Sequence, residues 1–159
     1  MPGNEDKVGY WLTPPDLMAR LQAEFDFDFD AAPYPRPAGF DGLKEPWGKR
    51  TWVNPPFGHK MSILPWARKA AAERTLGKTV ILIGPAYSWM EPLFSMMPEV
   101  RWMGRLSWLT PNGKRNRGAS QPSALFILRP KSVHPKSDEQ RARQEGISSP
   151  LDEGGDEQT

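Results

Sequence analysis

Between residues 51 and 84 the chain reads strand, turn, helix, strand, and that succession restricts its fold more than any other feature. Thr51-Trp52-Val53 is a short apolar run that stops at Asn54, Pro55 and Pro56, and paired prolines neither continue a ladder nor sit mid-helix. Residues 61–76 are alanine-rich and helical in character. Thr79 to Ile83 then form a continuous apolar run between Gly77 and Gly84, as a strand buried on both faces does. The whole is one βαβ unit, which commits the chain to an α/β sheet.

The flanking segments extend that unit. Thr13 offers a cap and Pro14 a first position for a helix over residues 14–24, with Leu17, Met18, Leu21 and Phe25 at helical spacing. Phe25, Phe27 and Phe29 alternate with Asp26, Asp28 and Asp30, the period of a strand. Asp26 and Asp28 read as a solvated face, because a single row of carboxylates lacks the converging ligands of a metal site. Residues 33–49 are a loop rich in Pro and Gly, residues 88–97 a further helix, and Val100 to Gly104 a strand. Arg105 to Leu109 and Ala124 to Leu128 are expected to pair as a C-terminal antiparallel hairpin around a basic loop. The expected architecture is a three-layer α/β sheet with an antiparallel end. Ligands of such sheets bind at the carboxyl ends of strands, where Asp30, Asn54 and Gly84 fall.

At 159 residues the chain suits one domain, expected over residues 10–130, with a flexible stretch at 1–9 and a disordered tail at 131–159. It has no cysteine and only two distant histidines, His59 and His134, which leaves no thiolate or histidine metal site. No apolar run is long enough for a bilayer span, so a soluble cytoplasmic protein is expected. The net charge of +2 conceals a division: residues 131–159 hold four basic and seven acidic residues, leaving 17 basic against 12 acidic in the rest. Arg101, Arg105, Lys114, Arg115, Arg117 and Arg129 occur within residues 101–129 with no acidic residue among them. A one-sign cluster of that kind attracts phosphate backbones, and Arg105, Lys114, Arg115 and Arg117 are the candidate contacts to a polyanionic partner.

Asn54-Pro55-Pro56-Phe57 is the most informative tetrapeptide. Its prolines fix the backbone, so that the Asn54 amide oxygen and the Pro55 carbonyl become a rigid pair of acceptors beside the Phe57 ring. That constellation suits an exocyclic amino group on a planar ring: two accepted N–H bonds draw the nitrogen lone pair out of conjugation while the aromatic ring stacks on the substrate. A strand-terminating turn with a capping Asn and a buried Phe is the plainer reading of the same four residues.

In its ordered motifs the chain resembles the phage-type DNA N6-adenine methyltransferases, the phage Dam family. The similarity covers about residues 11–128: W-x-T-P at Trp11 to Pro14, D-A-A at Asp30 to Ala32, D-G-L at Asp41 to Leu43 followed by Trp47, V-N-P-P-F at Val53 to Phe57, G-R-L-x-W at Gly104 to Trp108, and Q-P-S-A at Gln121 to Ala124. The resemblance implies a Rossmann-like class I fold, S-adenosylmethionine as cofactor, and DNA as partner. It also implies Thr13, Pro14, Asp30 and Asp41 near the cofactor, with Asn54, Pro55, Pro56 and Phe57 at the target amine. The chain departs from the usual pattern in three places. Asp30-Ala31-Ala32-Pro33 lacks the glycines of the customary cofactor loop, only 23 residues separate Asp30 from Asn54, which abbreviates the sheet, and Phe57 stands where tyrosine is commoner. Cytosine-N4 and protein-glutamine methyltransferases share the N-P-P-aromatic logic, and a catalytically silent DNA-binding module of the same fold is a further reading. On residues alone, Asp30 also reads as a turn cap and Asp41 as the anchor of an Asp-Gly turn.

Overall fold

The computed structural model describes residues 9–57, 62–86, 88–115 and 121–131. The expectations for the N-terminal stretch and the tail fall almost wholly on residues 1–8 and 132–159, and that for Arg117 on residues 116–120, all outside the described residues. In chain order the elements are α1 (Pro15–Phe25), β1 (Phe29–Asp30), β2 (Arg50–Val53), α2 (Leu64–Thr75), β3 (Thr79–Pro85), a short 3₁₀ turn (Ser88–Met90), α3 (Glu91–Phe94), β4 (Glu99–Gly104) and β5 (Ser123–Leu128). One five-stranded sheet runs β1-β2-β3-β5-β4. β1, β2 and β3 are parallel, whereas β5 is antiparallel to both β3 and β4.

The alternation of side chains along the central strands builds two cores. Val80 and Leu82 of β3 join Ala124, Phe126 and Leu128 of β5 beneath α2 and α3. Ile81 and Ile83, with Leu125 and Ile127, face the other way against Leu17, Leu21 and Phe25 of α1. Helices therefore cover both faces, which explains why β3 and β5 are apolar without interruption. Gly84 is closely packed: a Cβ there would lie 3.0 Å from Ile63 Cδ1 and 3.1 Å from the Trp89 ring, so these side chains would have to yield by a few tenths of an ångström.

Three expectations are corrected. Phe25 ends α1, and Asp26 closes the helix in the left-handed region with φ 49°, so the Phe/Asp alternation yields only the two-residue strand β1. Asp26 and Asp28 are exposed, as expected, but they carry partners as well. Asp28 accepts the Arg50 and Lys49 backbone N–H groups at 2.9 and 3.2 Å, and Asp26 pairs with the Arg50 guanidinium at 2.9 Å, so together they fasten the start of β2. The antiparallel end exists, but the neighbour of β5 is β4; residues 105–109 form no strand and pair only through a bridge from Leu109 to Leu12 and another to Arg115. Thr13, finally, is not the cap of α1. Pro14 occupies that position, with no side-chain cap bond.

Candidate active site

The parallel strands β1 to β3 end at one edge, and β2 delivers Asn54 there. The side-chain Nδ2 of Asn54 donates to the Trp11 carbonyl at 2.7 Å and to Thr13 Oγ1 at 3.2 Å. Its Oδ1 is buried and has no hydrogen-bond partner among the described residues. A buried acceptor without a donor costs about 1–3 kcal/mol, so such an atom at a strand end departs from ordinary packing. Ser123 Oγ, at the start of β5 opposite Pro85, is also buried without a partner among the described residues.

After Asn54 the chain turns through the fully buried Pro55 and half-buried Pro56 to Phe57. The Phe57 backbone is held on both sides: its N–H donates to the Gly9 carbonyl at 2.8 Å, and its carbonyl accepts from Trp11 Nε1 at 3.2 Å. The half-buried Phe57 ring lies near-parallel to Trp11, with centroids 6.5 Å apart and planes at 29°, and edge-on to Trp108 at 5.5 Å. Trp11 and Trp108 are neighbours of the Phe57 ring that local sequence reading missed. The W-x-T-P motif is visible, but contact with a residue 46 positions away leaves no local signal.

Pro56 is also a wall of an open pocket enclosing about 290 Å³ including its mouth. Ala31, Ala32 and Pro33 after β1 form one side, Asp41 and Gly42 another, and Tyr10, Arg36, Phe40 and Trp66 complete it. Gly42 is obligatory, because a Cβ there would fall 1.7 Å from the Ala31 carbonyl oxygen. The D-G-L turn can approach the end of β1 only for that reason. Asp41 Oδ1 accepts the Leu43 N–H at 3.1 Å and its other oxygen meets Lys44 at 3.1 Å, and these bonds lower its carboxyl pKa, the Lys44 contact most. Asp30 behaves differently: desolvation raises its pKa, against the opposing bond from the Ala32 N–H at 3.0 Å.

The residues singled out in the sequence thus distribute around one edge. Asp41 lines the pocket and Asp30 stands at its β1 side, while Thr13 and Pro14 lie with Asn54. Residues 110–114 fold into a tight turn, with the Thr110 N–H on the Lys114 carbonyl at 2.9 Å and Gly113 at φ 74°. That turn exposes Lys114 and Arg115, and Leu109 at its base exchanges two backbone bonds with Leu12, at 2.7 and 2.9 Å. The basic turn is thereby attached to the segment that holds Asn54. Arg105, exposed, follows the edge end of β4. Arg101 and Arg129 do not belong to this basic surface: Arg101 binds Glu24 and Glu99, Arg129 binds Glu99, and both lie over the Phe25 ring at the opposite end of the sheet. No cluster of metal-ligating side chains occurs among the described residues.

No curated protein and no solved structure matches the chain. The family model described as DNA N-6-adenine-methyltransferase (Dam) matches residues 4–145, a span that takes in the Trp11 segment, the Asn54 turn, the pocket, the basic turn and β5. The chain therefore belongs to the DNA N-6-adenine-methyltransferase (Dam) family.

Proposed function

We propose that the protein methylates the N6 amino group of adenine in DNA, and that the observation carrying this reading is the buried Oδ1 of Asn54, partnerless among the described residues, at the carboxyl end of β2. An adenine amine placed there donates one N–H to Asn54 Oδ1 and the other to the Pro55 carbonyl. Both acceptors are held in place by the turn before the substrate arrives, and the atoms that cover Oδ1 move aside as the base enters. Directed away from the ring plane, the two bonds localise the lone pair for attack. No base acts before the attack, since the amine loses its proton after it becomes cationic.

The pocket on the Pro56 side fits S-adenosylmethionine by its chemistry: flat aromatic walls at Tyr10, Phe40 and Trp66 for a purine, and the Asp41 carboxylate for amino, hydroxyl or sulfonium groups, with Asp30 next to the lining residue Ala31 at the end of β1. When bound, the cofactor supplies an electrophilic methyl group. Pro56 separates this pocket from Asn54 by a single turn of backbone, so donor and acceptor meet across it. Phe57 stacks on the base, which enters flipped out of a duplex or from a single strand. The exposed Arg105, Lys114 and Arg115 hold phosphates on the same edge, and Arg117 is a further phosphate contact in this reading. That basic surface favours DNA over a protein glutamine.

Asn54→Ala tests the reading. Methyl transfer to DNA is expected to fall about 100-fold or more, with cofactor affinity measured by calorimetry nearly unchanged. Near-normal turnover would remove the mechanism.

A further inference from the structure

An asparagine amide presents either oxygen or nitrogen to a ligand depending on a half-turn about its last torsion, and only its partners decide which. At Asn54 that choice is made by two acceptors. The Trp11 carbonyl, 2.7 Å from Nδ2, has no hydrogen to give, and Thr13 Oγ1 accepts the second N–H at 3.2 Å. With both hydrogens of Nδ2 engaged, Oδ1 is turned to the opposite side, where it is buried without a hydrogen-bond donor among the described residues. A reversed amide would set Oδ1 against the Trp11 carbonyl, two lone-pair-bearing oxygens in contact.

Thr13 is itself held on both sides. Leu12 exchanges two backbone bonds with Leu109, and the Pro14 carbonyl accepts the Met18 N–H at 2.9 Å at the start of α1. Pro14 and Pro15 remove the remaining backbone freedom.

We propose that Thr13 is a positioning residue which, with the Trp11 carbonyl, locks the Asn54 amide so that its oxygen faces the substrate amine. The proposal rests on the reading of Asn54 as amine acceptor, and it gives Thr13 a role apart from the cofactor pocket, whose lining does not include it. A corollary concerns the chemistry tolerated at position 54. A carboxylate there would direct one oxygen at the Trp11 carbonyl, so an aspartate works only when that oxygen carries a proton. Its hydroxyl then donates to Trp11 as Nδ2 did, and the carbonyl oxygen stays free for the amine.

The test compares Thr13→Val, Thr13→Ser, Asn54→Asp and Asn54→Ala on the full chain, using a DNA duplex population of mixed sequence and S-adenosylmethionine. Thr13→Val keeps the shape and removes the acceptor. It is expected to lower kcat about tenfold, with KM for DNA and the calorimetric cofactor affinity within about twofold. Thr13→Ser is expected to restore most of the rate. Asn54→Asp is expected to gain kcat as pH falls, the reverse of a reaction that needs a free carboxylate. Three results overturn the lock: Thr13→Val losing cofactor affinity while keeping kcat at saturation, Thr13→Ser being as impaired as Thr13→Val, or Asn54→Asp with a flat or rising pH profile. Asn54→Ala separates the two levels. If it is inactive while Thr13→Val turns over normally, only the lock falls; if it is active, the amine-acceptor reading falls and the lock with it.

Discussion

Phe57 has a double attachment that decides what its replacement measures. Its backbone is fixed by Gly9 and Trp11, independently of the side chain, so the turn persists when the ring is changed. Phe57→Ala should therefore report on stacking of the base, a term of roughly 1–3 kcal/mol, and lower kcat/KM about 5- to 150-fold. Phe57→Tyr keeps the stacking face and should retain activity. Equal behaviour of the two variants in a methyl-transfer assay would remove the stacking role. At this scale the sequence allowed Asn54 and Phe57 to be named, because consecutive prolines after a strand fix local geometry whatever the remainder of the chain does. The brace was not legible. Asn54 meets the Trp11 carbonyl across 43 residues, and a backbone carbonyl has no sequence identity to read.

Among the elements, α2 illustrates how a helix pattern conceals a charge in the core. Trp66, Ala67, Ala70 and Glu73 form its buried stripe. Glu73 accepts from Lys69 at 2.9 Å and from Lys78 at 2.5 Å, and Lys78 also donates to the Trp47 carbonyl at 2.6 Å. Trp47 in turn bonds the Gly42 carbonyl at 2.7 Å, so the network links α2 and β3 to the pocket loop. Burial opposes ionisation of Glu73, but the two lysine bonds together outweigh it and hold the pKa below the ordinary glutamate value. A lowered carboxyl pKa contributes stability that is present above the unfolded-state pKa and is lost as pH falls through the folded-state one. Glu73→Gln should lower stability by about 1–3 kcal/mol near neutral pH, with the difference in Tm from the parent shrinking in acid. A difference that stays constant down to strongly acidic pH would deny the ion pairs their part. The βαβ unit was readable because its burial is uniform. The segment R-L-S-W-L was misread as a strand for an instructive reason: Trp108 is buried and Leu106 partly so, giving the alternation, yet they pack across the Phe57 edge of the α1-side core rather than in a ladder.

Across the whole molecule, charge is sorted by the direction of the strands. β4 starts at Glu99, at the end of the sheet remote from Asn54, and there Glu24, Glu99, Arg101 and Arg129 neutralise one another. A count along residues 101–129 gave six cations, but folding assigns two of them to this remote cluster and keeps Arg105, Lys114 and Arg115 towards the active edge. Sequence order alone carries no such sorting, because Glu24 lies 77 positions from its partner Arg101. The two groups of arginines should respond oppositely to substitution. Replacing Lys114, Arg115 and Arg117 with Gln should weaken DNA binding on every sequence and flatten the plot of log K against log salt by up to about three counterions, leaving cofactor affinity unchanged. Arg101→Gln should lower Tm, since it abandons Glu24, and leave the salt slope alone. If the triple variant also lost discrimination between DNA sites, its side chains would be reading base edges as well as phosphates. A triple variant with unaltered affinity and slope, or an Arg101→Gln variant that flattens the slope, would mean that DNA approaches a different face of the sheet, and that the attachment of the basic turn to Leu12 serves folding alone.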